Sequence, residues 1–228
     1  MTAQVDHLVV AAHTLEEGVA WCERTLGISP GPGGEHPLMG THNRLFSIAT
    51  AQYPRAYFEI IAINKEAAHA RIHSAKRWFD LDNEALQANL KQNGPQLIHF
   101  VASTPDAMAA AQSLTHLGID RGELLSASRI TAHGLLSWQI TVRSDGQRLL
   151  NGALPTLIEW GDVHPTQHMA ASGVTLQSLT ASQPDVAQLT AAYSAIKLQS
   201  VAVAQGPANL VATLQTPRGI VTLESKGL

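Results

Sequence analysis

The strongest constraint on this chain is one element order read three times. Residues 5–63, 97–160 and 173–224 each follow the pattern β-α-β-β-β, and such a period narrows the architectures open to a sequence. The first unit opens with a short apolar strand, Val5-Asp6-His7-Leu8-Val9-Val10-Ala11. Strand alternation puts Val5, His7 and Val9 on one face and Asp6, Leu8 and Val10 on the other. An imidazole on an apolar face needs a polar partner. The strand recurs as Leu97-Ile98-His99-Phe100-Val101 and, degenerate, at residues 175–179.

The helices of the units are legible from their ends. Thr14-Leu15-Glu16-Glu17 is a capping box, Leu15, Val19, Cys22 and Leu26 follow helical spacing, and Gly27 is a stop. Cys22 lies on the buried stripe and reads as a core residue. Being the single cysteine, it excludes an intrachain disulfide and a thiolate metal cluster. Thr104-Pro105-Asp106 predicts a helix start with Thr104 as cap, and Pro184-Asp185 opens the third helix. The glycines of 31–40 invite a phosphate-loop reading, but no Gly-Lys-Ser/Thr ending follows them, so a long hairpin fits better. Residues 64–95 form a linking excursion that Trp78 and Phe79 pin onto the body, with a short helix ended by Asn93-Gly94-Pro95.

Charge and hydropathy exclude several partners. A net charge of −3, with no Lys/Arg cluster, argues against nucleic acid. No apolar run approaches a membrane span, and the acidic residues near the N-terminus do not fit a signal peptide. The expectation is a soluble, cytoplasmic protein. There is no Gly-x-Ser-x-Gly, so a serine hydrolase has no support.

Superimposing the units on their first and last strands pairs His7 with Glu59, His99 with Glu159, and Gln177 with Glu224. Three explanations stay open: coincidence among the 11 histidines, buried His–Glu ion pairs, or a metal site built from imidazoles and carboxylates.

Several stretches resemble the vicinal oxygen chelate superfamily, and among its members the glyoxalase-like domain proteins. They are Val5-Asp6-His7-Leu8-Val9, Gly33-Gly34-Glu35-His36-Pro37 with Gly40-Thr41-His42-Asn43-Arg44, Tyr57-Phe58-Glu59-Ile60-Ile61-Ala62, Arg77-Trp78-Phe79-Asp80-Leu81-Asp82, Leu97-Ile98-His99, and Leu154-Pro155-Thr156-Leu157-Ile158-Glu159-Trp160. The resemblance implies an α+β fold in which two βαβββ modules, 4–63 and 96–160, pair into a cupped eight-stranded mixed sheet. These modules and the excursion would form a domain over 1–165, with a third βαβββ module over 166–228.

It also implies a divalent metal (Zn, Fe, Mn, Ni or Co) held by His7, Glu59, His99 and Glu159. Relatives often carry an amide at the last position, which would leave a His7/Glu59/His99 set with Glu159 as a catalytic base. The implied activity is that of a lyase, isomerase or dioxygenase acting on a small substrate that chelates the metal through vicinal oxygens. A non-catalytic small-molecule binding protein is the alternative. His36, His42, Asn43 and Arg44 on the hairpin would bind substrate, with Trp138, Arg129 and Trp160 lining the second half of the cup. The third module could pack beside the pair or cross to a second subunit, giving a homodimer.

Overall fold

A computed structural model describes residues 2–67 and 76–228. Part of the expected excursion, residues 68–75, therefore lies outside the described residues. The first unit comprises β1 (Gln4–Ala11), α1 (Leu15–Leu26), β2 (Glu35–His36), β3 (Thr41–Ser47) and β4 (Tyr57–Ile63). After α2 (Glu84–Asn93), the second unit runs β5 (Gln96–Ser103), α3 (Ala107–Thr115), β6 (Glu123–Thr131), β7 (Gly134–Val142) and β8 (Thr156–Trp160). The third is β9 (Thr175–Gln183), α4 (Val186–Ile196), β10 (Ala202–Gln205), β11 (Asn209–Thr216) and β12 (Gly219–Glu224). No helix among the described residues is long and apolar enough to cross a membrane.

The caps behave largely as their chemistry dictates. Thr14 Oγ1 accepts from the Glu17 N–H, and Gly27 takes the left-handed conformation at φ 77° that ends α1. One expectation shifts: α3 is capped by Asp106, whose carboxylate accepts from the Ala109 N–H. Thr104 is still tied to the sheet, its N–H donating to the Ile158 carbonyl, and so cannot begin the helix.

The first two units make one eight-stranded mixed sheet in the order β2-β3-β4-β1-β5-β8-β7-β6. In each, the first strand lies parallel to the last, and the halves join where β1 and β5 pair antiparallel. That join is irregular in two places. Asp6 is an extra residue between the pairs Val5–Ala102 and His7–Val101, and Ile98 is an extra residue between His99 and Leu97. Each is a β-bulge, which turns a strand and re-aims its side chains. β9 carries a third one residue further along, with Gln177 unmatched between Leu176 and Ser178.

The third unit keeps the chain order but pairs differently. Its sheet runs β10-β9-β11-β12, so β9 contacts β10 and β11 and never its own last strand. Gln177 and Glu224 are consequently separated by β11, and both are exposed. This small sheet and α4 pack beside the pair, on the convex face of the large sheet. Leu176, Leu179, Leu210 and Leu214 join Leu8, Val10, Phe58, Phe100 and Leu157 in one core. Tyr53 fastens the two layers, since its hydroxyl accepts from the Leu179 N–H and donates to the Ser200 carbonyl. Cys22 is buried in this same core, where desolvation, aided by Glu23, pushes its thiol up to about 12.

The concave face has a second core, and it is lopsided. Trp78, Phe79, Leu81, Leu86 and Leu90 fold over Ile98, Val101, Ile140 and Ile158, filling much of the second half of the cup. Phe79 and Asp80 both adopt φ of 59°. Left-handed backbone at non-glycine residues costs about 1–2 kcal/mol each. Burial of Phe79 and Leu81 offsets that cost, as does the Asp80 carboxylate, which binds Arg148 Nε at 3.0 Å.

Candidate functional site

The site grows from the β1 bulge. Simple alternation would send Asp6 and His7 to opposite faces. The extra residue instead leaves Val5, Leu8 and Val10 in the convex core while the Asp6 carboxylate meets the His7 ring. Asp6 is fully buried and accepts three hydrogen bonds: His7 Nδ1 at 2.7 Å, Trp160 Nε1 at 2.9 Å and His164 Nε2 at 3.0 Å. Burial alone would push this carboxyl up. The bonds from His164 and His7 overcome it and hold the group well below the usual carboxylate range. An ionised Asp6 can only accept, so the His7 proton sits on Nδ1 and Nε2 points away from Asp6.

On the far side of the ring, His7 Nε2 lies 3.6 Å from Glu59 Oε2. Asn43 orders this carboxylate, donating from Nδ2 to Glu59 Oε1 at 2.6 Å while its Oδ1 accepts from the Gly34 N–H at 2.8 Å. Gly33 is needed for that approach, because a Cβ there would overlap the Asn43 carbonyl and side chain. His36 reaches Thr41 Oγ1 through Nδ1 at 3.0 Å. Desolvation and then the Arg129 charge push the His36 ring down to about 3, so it is neutral. Tyr57 stacks on His7 with ring centroids 4.5 Å apart. Burial, reinforced by Asp6 and Glu59, pushes its phenol well up and keeps it protonated.

These groups line a small inner chamber of about 30 Å³ together with Arg129. His36, Trp78, Trp138 and Trp160 line both this chamber and an outer cavity of about 760 Å³, so the polar cluster forms the floor of a larger apolar-walled cleft. The outer volume lies within the range of small-molecule sites.

Of the residues singled out in the sequence, the structure brings together His7, Glu59, His36, Asn43, Arg129, Trp138 and Trp160. It does not bring the rest. Asn43 turns inward on β3, so its neighbours His42 and Arg44 point to the other face, where Glu16 acts on the His42 ring and Arg44 is exposed. His99 is fully buried with both nitrogens engaged: Nδ1 donates to the Gly152 carbonyl, and Nε2 accepts from the Thr156 N–H at 3.1 Å. Arg121 donates to the Thr156 hydroxyl at 2.8 Å, burial and then the Arg121 charge push the His99 ring well down and keep it neutral, and Phe79 lies 5.2 Å from that ring. Glu159 alternates with Ile158 and Trp160, and its Oε2 accepts from the Ala107 N–H at the start of α3 on the convex side. It therefore serves a helix terminus.

The four residues expected to hold a metal thus do not fit that role as a set. His7 and Glu59 are adjacent, whereas His99 and Glu159 are committed elsewhere. Among the described residues, no three His, Cys, Asp or Glu side chains form a group able to hold a metal ion. Sequence reasoning missed Asp6 as a site residue. Its signal was a carboxylate in an otherwise apolar strand, where an unpartnered charge is not tolerated.

A family model described as a glyoxalase-like domain matches residues 5–196. No curated protein matches the chain. A hypothetical protein from Staphylococcus aureus is similar in structure, with a TM-score of 0.60 and 14% identity over 90% of this chain and 87% of that one. A variant methylmalonyl-CoA epimerase from Streptomyces coelicolor, in complex with 2-nitronate-propionyl-CoA, gives 0.44 and 17% over 72% and 99%. The methylmalonyl-CoA epimerase of Mycobacterium tuberculosis gives 0.38 and 14% over 69% and 86%. At these identities the likeness concerns fold.

Proposed function

Given that the chain belongs to the glyoxalase-like domain family of the vicinal oxygen chelate superfamily, we propose that its concave cleft is the active site of an enzyme of the isomerase or lyase type. The reaction would be proton transfer on a small substrate, with His7 giving and taking the proton. One observation carries this reading: a fully buried, ionised Asp6 holds His7 Nδ1 at 2.7 Å and leaves Nε2 toward the chamber. A carboxylate that fixes the tautomer of an imidazole is what general acid–base chemistry requires. Glu59, ordered by Asn43, stabilises the imidazolium formed when His7 Nε2 takes a proton.

The test is exchange of carbon-bound hydrogen. Small carbonyl-containing acids are incubated with the protein in deuterated water and followed by NMR. Wild type is expected to exchange the hydrogen next to the carbonyl in at least one of them, and His7→Gln, folded by circular dichroism, is not. Exchange by His7→Gln at the wild-type rate removes His7 from the chemistry. Substrate binding with no exchange by either protein leaves a binding protein of the same fold.

A further inference from the structure

The cleft contains a cation, Arg129, whose charge acts on His36 but meets no counter-ion among the described residues. Arg129 lies on β6 across from Leu136, on the long hairpin that walls the second half of the cup. Its Nη1 is buried with no hydrogen-bond partner, and no ion pair involves it among the described residues. A guanidinium N–H buried without a partner is costly, because it has surrendered water and gained nothing. The first half of the cup is shaped around it, since a Cβ on Gly34 would overlap the guanidinium.

The neighbouring carboxylates do not compete for Arg129. Glu59 is held by Asn43, and Asp6 already has three donors. Among the described residues lining the two chambers, Arg129 is the one cation. Above it the outer cavity is walled by Trp78, Trp138, Trp160 and Leu125.

We infer that Arg129 is an anion subsite on the floor of the cleft, and that the ligand is a monocarboxylate with an apolar, aromatic or alkyl body lying between the tryptophans. This deepens the proton-transfer reading and rests on it for the role of the ligand as substrate. A planar guanidinium matches a carboxylate in a way that a neutral isostere cannot reproduce. A single cation suits one negative charge, whereas a polyphosphorylated ligand needs several.

The probe is 3-phenylpropionate, with 3-phenylpropionamide as its neutral counterpart, titrated into the full chain by calorimetry. The acid is expected to bind once per chain, and the amide about tenfold more weakly or less. Arg129→Gln is expected to abolish the difference, and Arg129→Lys to keep part of it. Saturable binding of the acid by the wild-type protein, with no hydrogen exchange in any acid tested, would sink the chemistry and leave the subsite standing. Equal affinity for acid and amide, an undiminished preference in Arg129→Gln, or no saturable binding of the acid at roughly millimolar concentration each overturns the subsite.

Discussion

Replacing Asp6 with Asn keeps the shape of the side chain and removes its charge. The carboxylate takes hydrogen bonds from His7, Trp160 and His164 at 2.7, 2.9 and 3.0 Å. The amide has a single oxygen. If that oxygen keeps Trp160 and His164, its NH2 faces His7 Nδ1, which must then accept and send its proton to Nε2. One charge-assisted bond is lost and two become neutral, a cost of about 3 kcal/mol. The pH dependence has a definite sign. Asp6 has a folded pKa below its unfolded one, so its contribution is whole above about pH 4 and is lost as the pH falls toward the lowered folded value. Urea unfolding followed by tryptophan fluorescence is therefore expected to show Asp6→Asn about 3 kcal/mol less stable at pH 7. The gap should narrow by about 1 kcal/mol at pH 3. Any proton-transfer rate should fall by about a hundredfold. A difference under about 1 kcal/mol at pH 7, or one equally large at pH 3, refutes the reasoning.

Other substitutions separate the roles of neighbouring residues. Gly34→Ala should displace the Arg129 guanidinium and weaken acid binding by calorimetry as Arg129→Gln does, with the amide affected less. Glu159→Ala removes an acceptor from the first turn of α3, and should cost about 1 kcal/mol of stability while leaving turnover at the wild-type level. Tyr53→Phe leaves the Leu179 N–H and the Ser200 carbonyl without their bridge, and should cost about 1–3 kcal/mol in urea unfolding.

The architecture was legible because it rests on local periodicity. Alternating strands, capped helices and the repeated order place β1 to β8 in the large sheet, and the Thr14 cap and the Gly27 stop sit where their chemistry demands. The site was legible only in part. His7, Glu59, His36 and Asn43 converge because the first and last strands of one unit lie side by side, a consequence of the repeat. What escaped depends on register and distant contacts. Strict alternation parts Asp6 from His7, and a bulge that no residue type announces reunites them. His99 sits at the equivalent bulge, yet Phe79 and the Thr156–Arg121 chain occupy its surroundings, and those contacts span distant parts of the chain. Alternation along β8 puts Glu159 on the face of Leu157, where its Oε2 reaches the start of α3. The third unit shows how far a repeated order can mislead. Its strands pair in another sequence, so Gln177 and Glu224 never meet.

Everything proposed for the cleft requires that Asp6 fix the proton of His7 on Nδ1 and leave Nε2 toward the chamber. Long-range nitrogen–proton NMR at neutral pH reads this directly, with the His7 signals assigned by their loss in His7→Gln. Nδ1 is expected to be protonated, its proton shifted downfield by the bond to Asp6, and that signal to be lost in Asp6→Asn. An unprotonated Nδ1 in the wild-type protein would contradict it.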